Sequence, residues 1–205
     1  MKFKRIITLS LAAAMAMAAT VSVAAADLTD QNTTGNTEVK ARINGSAGNV
    51  TYTITIPDVI DFGVLEQPTV DENSYKYVPY TVTATKIEGI DPSTQEIGVY
   101  VKDQNADRNG DTDFYIINKT DSSIKFKYDV FFSAVDDTTN NPVSINSGTM
   151  TGTAGYKLHN FSFQGEEVNG TLRLNQQQLY ARNITAIAGD YSGYMVFFST
   201  VENIP

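Results

Sequence analysis

Residues 124–134 read Ile-Lys-Phe-Lys-Tyr-Asp-Val-Phe-Phe-Ser-Ala. Ile124, Phe126, Tyr128, Val130, Phe132 and Ala134 fall on one side of an extended chain, and Lys125, Lys127 and Asp129 on the other. A period of two puts alternate side chains on opposite faces of a strand. A strand with one greasy and one charged face belongs to an antiparallel sheet that is buried on one side only. The same pattern recurs twice upstream. Val50, Tyr52, Ile54 and Ile56 alternate with Thr51, Thr53 and Thr55 until Pro57 stops the run. Tyr80, Val82 and Ala84 alternate with Thr81, Thr83 and Thr85. Branched residues suit both faces of a pleated surface.

The remaining segments fit the same architecture. Residues 96–103 and 113–118 read as two shorter strands joined by a polar loop, and residues 142–152, 157–163 and 170–175 as weaker strands. Residues 175–182 suit one or two helical turns capped by Asn175. Clusters of Asn, Asp, Gly and Ser separate the strands, and no long 3.6-residue period follows residue 26. The fold class expected is all-β, an antiparallel β-sandwich, formed after removal of a leader.

That leader is residues 1–26. Lys2, Lys4 and Arg5 precede an Ala- and Met-rich apolar run over residues 6–23, followed by Ala24, Ala25, Ala26 and then Asp27. A basic start, an apolar middle and small residues before a polar one are the marks of a cleaved signal peptide. Residues 27–38 are polar and aperiodic and read as a flexible arm. A single sandwich domain is expected over residues 39–205, since roughly 180 residues suit one domain. The chain has no Cys, so neither disulfides nor lipidation through a thiol contribute, and stability rests on packing. No membrane anchor is expected once the leader is removed, because no apolar tail follows Val201.

The formal charge is −8, and losing the three basic residues of the leader makes the remainder more acidic. An acidic chain repels phosphate backbones and anionic lipid, which argues against nucleic acid as a partner. Catalysis finds little purchase. His159 is the sole histidine and alternates with Leu158 and Phe161 in a strand pattern, with no nucleophile motif beside it. Glu166 and Glu167 are neighbours and point apart in an extended chain, unlike the opposed carboxylates of a glycosidase. The chain therefore reads as a non-enzyme.

Calcium is the strongest chemical candidate. Asp103, Asn105, Asp107, Asn109 and Asp111 place an oxygen donor at every second residue, with Gly110 to turn the chain. The register departs from a calcium loop: the sixth position from Asp103 is Arg108, and the twelfth from Asn105 is Ile116. A solvated hairpin with an Asn-Gly turn is the plain alternative, and no cofactor is otherwise expected. Glycans are a further candidate partner, through a platform of Tyr75, Tyr77, Tyr80 and Tyr100.

Two stretches carry a resemblance. Residues 188–198, AGDYSGYMVFF, resemble the last strand of bacterial fimbrial subunits and surface-adhesin sandwich domains. Ile187 to Tyr191 also has the spacing of a tyrosine corner, in which a ring near a strand's start bonds back to upstream backbone. Residues 52–63, YTITIPDVIDFG, are similar to an early segment of secreted surface proteins of Gram-positive bacteria. The resemblance implies an immunoglobulin-like or jelly-roll building block, secreted or at the cell surface. It also implies a structural or adhesive role, in a surface fibre or matrix, through self-association or other surface proteins. By the same analogy Lys40 and Asn203 are candidates for an amide crosslink between first and last strands. A monomeric carbohydrate-binding module is the competing expectation.

The last strand raises one further question. Tyr194, Val196 and Phe198 face one way, Met195 and Phe197 the other, so both faces are apolar. A central strand covered by the chain's own loops is the favoured expectation. The alternatives are cover by a neighbouring subunit, or exchange of the arm and Val39, Ala41 and Ile43 onto a neighbour's sheet edge.

Overall fold

The computed structural model describes residues 25–29, 50–106 and 112–205. Seven strands form one sheet: β1 (Ala25–Thr29), β2 (Thr51–Pro57), β3 (Tyr75–Glu88), β5 (Phe114–Asn118), β6 (Lys125–Phe131), β8 (Glu167–Asn175) and β9 (Tyr191–Ser192). Their order across the sheet is β1-β2-β3-β8-β6-β5-β9. Three more, β10 (Met195–Asn203), β4 (Gln95–Asp103) and β7 (Tyr156–Phe161), form a second sheet in the order β10-β4-β7. Every recorded pairing is antiparallel. The core lies between the sheets. Ile54, Val82, Phe126, Val130 and Leu174 from the larger sheet are buried there with Ile97, Val99, Phe161 and Phe197 from the smaller. Among the described residues no helix is long and apolar enough to cross a membrane.

The alternating segments form strands with the polarity their sequences require. Tyr52, Ile54 and Ile56 of β2 are buried between half-exposed threonines, and Tyr80, Val82 and Ala84 of β3 repeat the arrangement. Thr55 and Thr85 meet hydroxyl to hydroxyl at 3.2 Å across the outer face. Strand β6 departs from its sequence pattern at the end. It stops at Phe131, so Phe132 and Ala134 lie beyond the ladder and Phe132 is 54% exposed. The cause is a change of partner. The Phe131 carbonyl accepts the Tyr80 hydroxyl at 2.8 Å. Thr171 then takes over the departing chain, donating to the Ser133 carbonyl and accepting from the Val135 amide. Phe131 itself is buried against the Arg173 guanidinium, 4.9 Å from its ring.

Two local expectations meet different fates. Asn175 caps a 3₁₀ turn at Gln176–Leu179 by accepting from the Gln177 amide, as its sequence position requires. Residues 142–152, read as a weak strand, instead hold a 3₁₀ turn at Ile145–Ser147 that inserts Ile145 into the core. Residues 1–24 and 30–49 lie outside the described residues, including most of the leader, most of the arm, Lys40, and Val39 to Ile43. Ala25 and Ala26 from the leader's end and Asp27 to Thr29 from the arm's start pair with β2, Asp27 opposite Thr55. The first three residues of the arm are therefore laddered.

Gly170 of β8 shows how closely the sheet is packed. A Cβ there would sit 2.3 Å from Tyr80 Cζ and 2.5 Å from the Phe131 carbonyl oxygen. Gly170→Ala is expected to cost about 1–3 kcal/mol through overpacking. Tyr80→Phe, which strands the buried Phe131 carbonyl, should cost about 1–3 kcal/mol. Urea unfolding followed by tyrosine fluorescence checks both, and a midpoint equal to the parent's in either variant would contradict this packing.

Candidate interaction groove beside the last strand

The route into β10 is built from main-chain constraints. Asn183 caps the short helix α1 (Ile184–Ile187), accepting from the Thr185 amide at 3.1 Å. The chain then turns at Gly189, whose φ of 141° is one that residues with a Cβ rarely adopt. The Tyr191 hydroxyl donates to the Ile187 carbonyl, completing the tyrosine corner, and its ring packs 5.1 Å from that of Phe126. Asn118, buried beside the corner, accepts from the Thr120 amide and hydroxyl and from the Asp121 amide. At Gly193 a Cβ would fall 2.0 Å from the Tyr115 carbonyl oxygen, so only glycine permits this approach to β5. Beyond Gly193 the chain leaves the larger sheet and enters the smaller one as β10.

Strand β10 is not central. Among the described residues it pairs with β4 alone, from Met195 opposite Asp103 to Asn203 opposite Gln95. This corrects the expectation of a central strand with one face in the core and the other covered by the chain's own loops. Its inner face, Met195, Phe197 and Ser199, is buried in the core, and Tyr52 places its hydroxyl 3.2 Å from Ser199 Oγ. Its outer face is covered from within the sheet. Phe198 packs on Tyr100 at 6.4 Å. The Tyr100 hydroxyl donates to Glu202, and Lys157 Nζ lies 2.8 Å from Glu202 Oε2 and 3.7 Å from Glu96 Oε1. Gly98 leaves the space this carboxylate occupies, since a Cβ there would stand 2.6 Å from Glu202 Cδ. The ion pair thus ties β10 to β7 across β4. Among the described residues, the lateral edge of the strand away from β4 has no strand partner.

A cavity of about 920 Å³ lies there. Phe126, Tyr128 and Leu172 of the larger sheet form its floor, and Met195 and Phe197 form one wall. Residues 58–65, which leave β2 after Pro57, line it as well, together with Ile184, Ile187 and Tyr191. Phe62 anchors residues 58–65, its ring 5.7 Å from that of Tyr128. Asp58, Asp61 and Asp190 stand among the lining residues against the single cation Lys119, which gives the lining an acidic excess. Burial, with the Asp103 charge nearby, holds the Tyr128 phenol well above its ordinary pKa. The arrangement is an apolar slot alongside a sheet edge. It can seat an extended segment and supply main-chain partners along β10.

The candidate metal ligands are placed as follows. Asp103 is buried; its Oδ1 accepts from the Asn105 amide at 2.7 Å and its Oδ2 from the Tyr115 amide at 3.1 Å. It ties the end of β4 in the smaller sheet to the start of β5 in the larger one, a role that the spacing of donors alone does not reveal. Asn105 lies in the turn after β4, while Asp107, Asn109 and Asp111 lie outside the described residues. Among the described residues no group of three or more His, Cys, Asp or Glu side chains is arranged to hold a metal ion.

The four tyrosines do not form one platform. Tyr75 and Tyr77 are neighbours, ring centres 6.0 Å apart, with Arg173 4.5 Å from the Tyr75 ring. Tyr80 points into the core, and Tyr100 belongs to the other sheet. Alternation separates Tyr80 from Tyr77, because residues three apart on a strand face opposite ways. His159 packs edge-on to Phe161 at 4.8 Å. Glu166 folds back to the Ser162 amide and Glu167 meets the Thr83 hydroxyl, so the two carboxylates serve different neighbours.

Burial by itself raises the Glu202 carboxyl's pKa, but hydrogen bonds from Lys157 and Tyr100 and the Lys157 charge outweigh it and hold it below the ordinary value of 4.5. A carboxyl lowered on folding stabilises the native state above its unfolded pKa, and that contribution is lost as pH falls through the folded value. Thermal unfolding between pH 6 and pH 3 is therefore expected to show a shallower acid loss in Glu202→Gln than in the parent. Parallel acid limbs would contradict the ion pair's role in holding β10.

Comparison with known proteins adds little that bears on the groove. No protein-family model matches the chain. No curated protein matches it either. Among solved structures it is similar to a chain described under chaperone–tip adhesin complex and activation of CFA/I fimbriae biogenesis, at 18% identity and a TM-score of 0.31. That match covers 79% of this chain and 49% of the other, so the chain spans about half the length of the protein it matches.

Proposed function

We propose that the protein is an exported, non-enzymatic subunit of a bacterial surface fibre or extracellular matrix, assembled by strand-edge contacts between copies. The observation that carries this reading is the edge of β10 that has no strand partner among the described residues, beside an apolar slot. An extended segment from a neighbour would add a fourth strand to the smaller sheet. Main-chain hydrogen bonds would supply affinity, and the side-chain subsites of the slot would set register. Residues 39–43 have the pattern such a segment needs. Val39, Ala41 and Ile43 alternate with Lys40 and Arg42, so apolar groups can enter the slot while cations meet the aspartates that line it. A head-to-tail contact of this kind does not close on itself and propagates into a filament.

A monomeric glycan-binding module is the competing reading, favoured only by the adjacent Tyr75 and Tyr77. Polymers of the protein lacking residues 1–26 are expected to persist in molar salt, because laddered apolar contacts are little affected by screening. Removing residues 39–43 should yield monomers whose thermal unfolding matches the parent's. Sedimentation velocity reads both. A parent that stays monomeric at every concentration, with tyrosine fluorescence that responds to added glycans, would replace the fibre reading with the module.

A further inference from the structure

The segment after β2 that lines the slot has an unusual construction. Residues 58–65 lie over the inner face of the larger sheet, yet among the described residues they make no backbone–backbone hydrogen bond. Their polar contacts are an amide of Gly63 turned onto its neighbour Asp61, and a Lys76 ammonium on the Val64 carbonyl. Phe62 is buried, but Val59 is 71% and Val64 79% exposed. Gly63, at φ 62°, supports the bend between them. Both ends are held firmly. Pro57 is the last residue of β2, the Glu66 amide donates to Gln176 Oε1, and Gln67 Nε2 donates to the Leu179 and Arg182 carbonyls.

A segment with fixed ends, one fully buried ring, only partly buried Ile60 and Leu65 beside it, two valines in water and no ladder is held less firmly than the laddered strands, and it is the kind of element that opens before its surroundings. We infer that residues 58–65 form a displaceable strap that holds the slot in the free subunit and yields when a strand docks on β10. This rests on the strand-addition reading above and adds its regulation. While the strap is seated, the docking-competent state is a minor population, and apparent affinity for the incoming strand is reduced by that fraction. Phe62 is the strap's latch, and Gly63 permits its seated bend.

The probe is a synthetic peptide of residues 37–45, TEVKARING, added to protein lacking residues 1–26 and 39–43. Amide hydrogen exchange is followed in β10 and in the strap. Docking is expected to protect β10 and to speed exchange and proteolysis in residues 58–65. Phe62→Ala, which removes the latch, should tighten peptide binding by about tenfold. Gly63→Ala keeps the core intact, since the nearest atom to a new Cβ is Lys76 Nζ at 3.8 Å, and should act in the same direction by straining only the seated bend. Protection of β10 with an unchanged strap, and unchanged affinity in both variants, would overturn the strap and leave strand addition standing. No protection of β10 in the parent or either variant would overturn both.

Discussion

A seven-stranded sheet packed against a three-stranded one cannot have its inner face fully roofed, and the rest of the structure follows from that mismatch. Apolar side chains on the uncovered part must be shielded by something other than sheet, because a large open greasy face is unfavourable in water. The chain uses residues 58–65 for this, with Phe62 set down on Tyr128. The cover is incomplete, and the remainder is the slot. The same mismatch makes β10 an edge. A fourth strand in the smaller sheet would fill the slot and pair that edge at once.

An edge strand bordering a cavity needs anchoring from elsewhere, particularly in a chain without disulfides. Three devices supply it. The tyrosine corner and Gly193 fix where the strand begins. Tyr52 reaches across the sandwich to Ser199 at its middle. Lys157 and Tyr100 grip Glu202 near its end. These contacts hold β10 from its two faces and its β4 side, so the remaining edge is presented on a rigid frame. Ordering costs of docking fall mainly on the incoming segment and the strap, which fits a site built for a strand more than for a small reactant.

Much of the fold was legible because sheet alternation is a local property. Thr-rich β2 and β3, and β6 up to Phe131, carry their inside and outside in their own residues. The tyrosine corner was legible for the same reason, its donor and acceptor being four residues apart. The limits were non-local. Apolar residues on both faces of β10 suggested a central strand, but the outer face is satisfied by Tyr100 and Phe198 within one sheet, and pairing order is not written in a strand's own residues. Asp103 looked like a ligand because its spacing resembles a calcium loop, whereas its carboxylate is met by the amides of Asn105 and Tyr115. The Tyr115 amide is twelve residues away and invisible to spacing. The strap was read only as part of a resemblance, since an unladdered segment gives no periodic signal.

The account turns on β10 having, among the described residues, one paired edge and one without a partner. Residue-resolved hydrogen exchange on the monomeric protein measures this directly. In an antiparallel edge strand every second amide points away from its partner. Along Met195–Asn203, alternate amides should exchange rapidly while those facing β4 stay protected, and the amides of β4 itself should be slow throughout. Uniform protection along β10 in the monomer would mean that the edge is already paired, and the slot would not be a docking site.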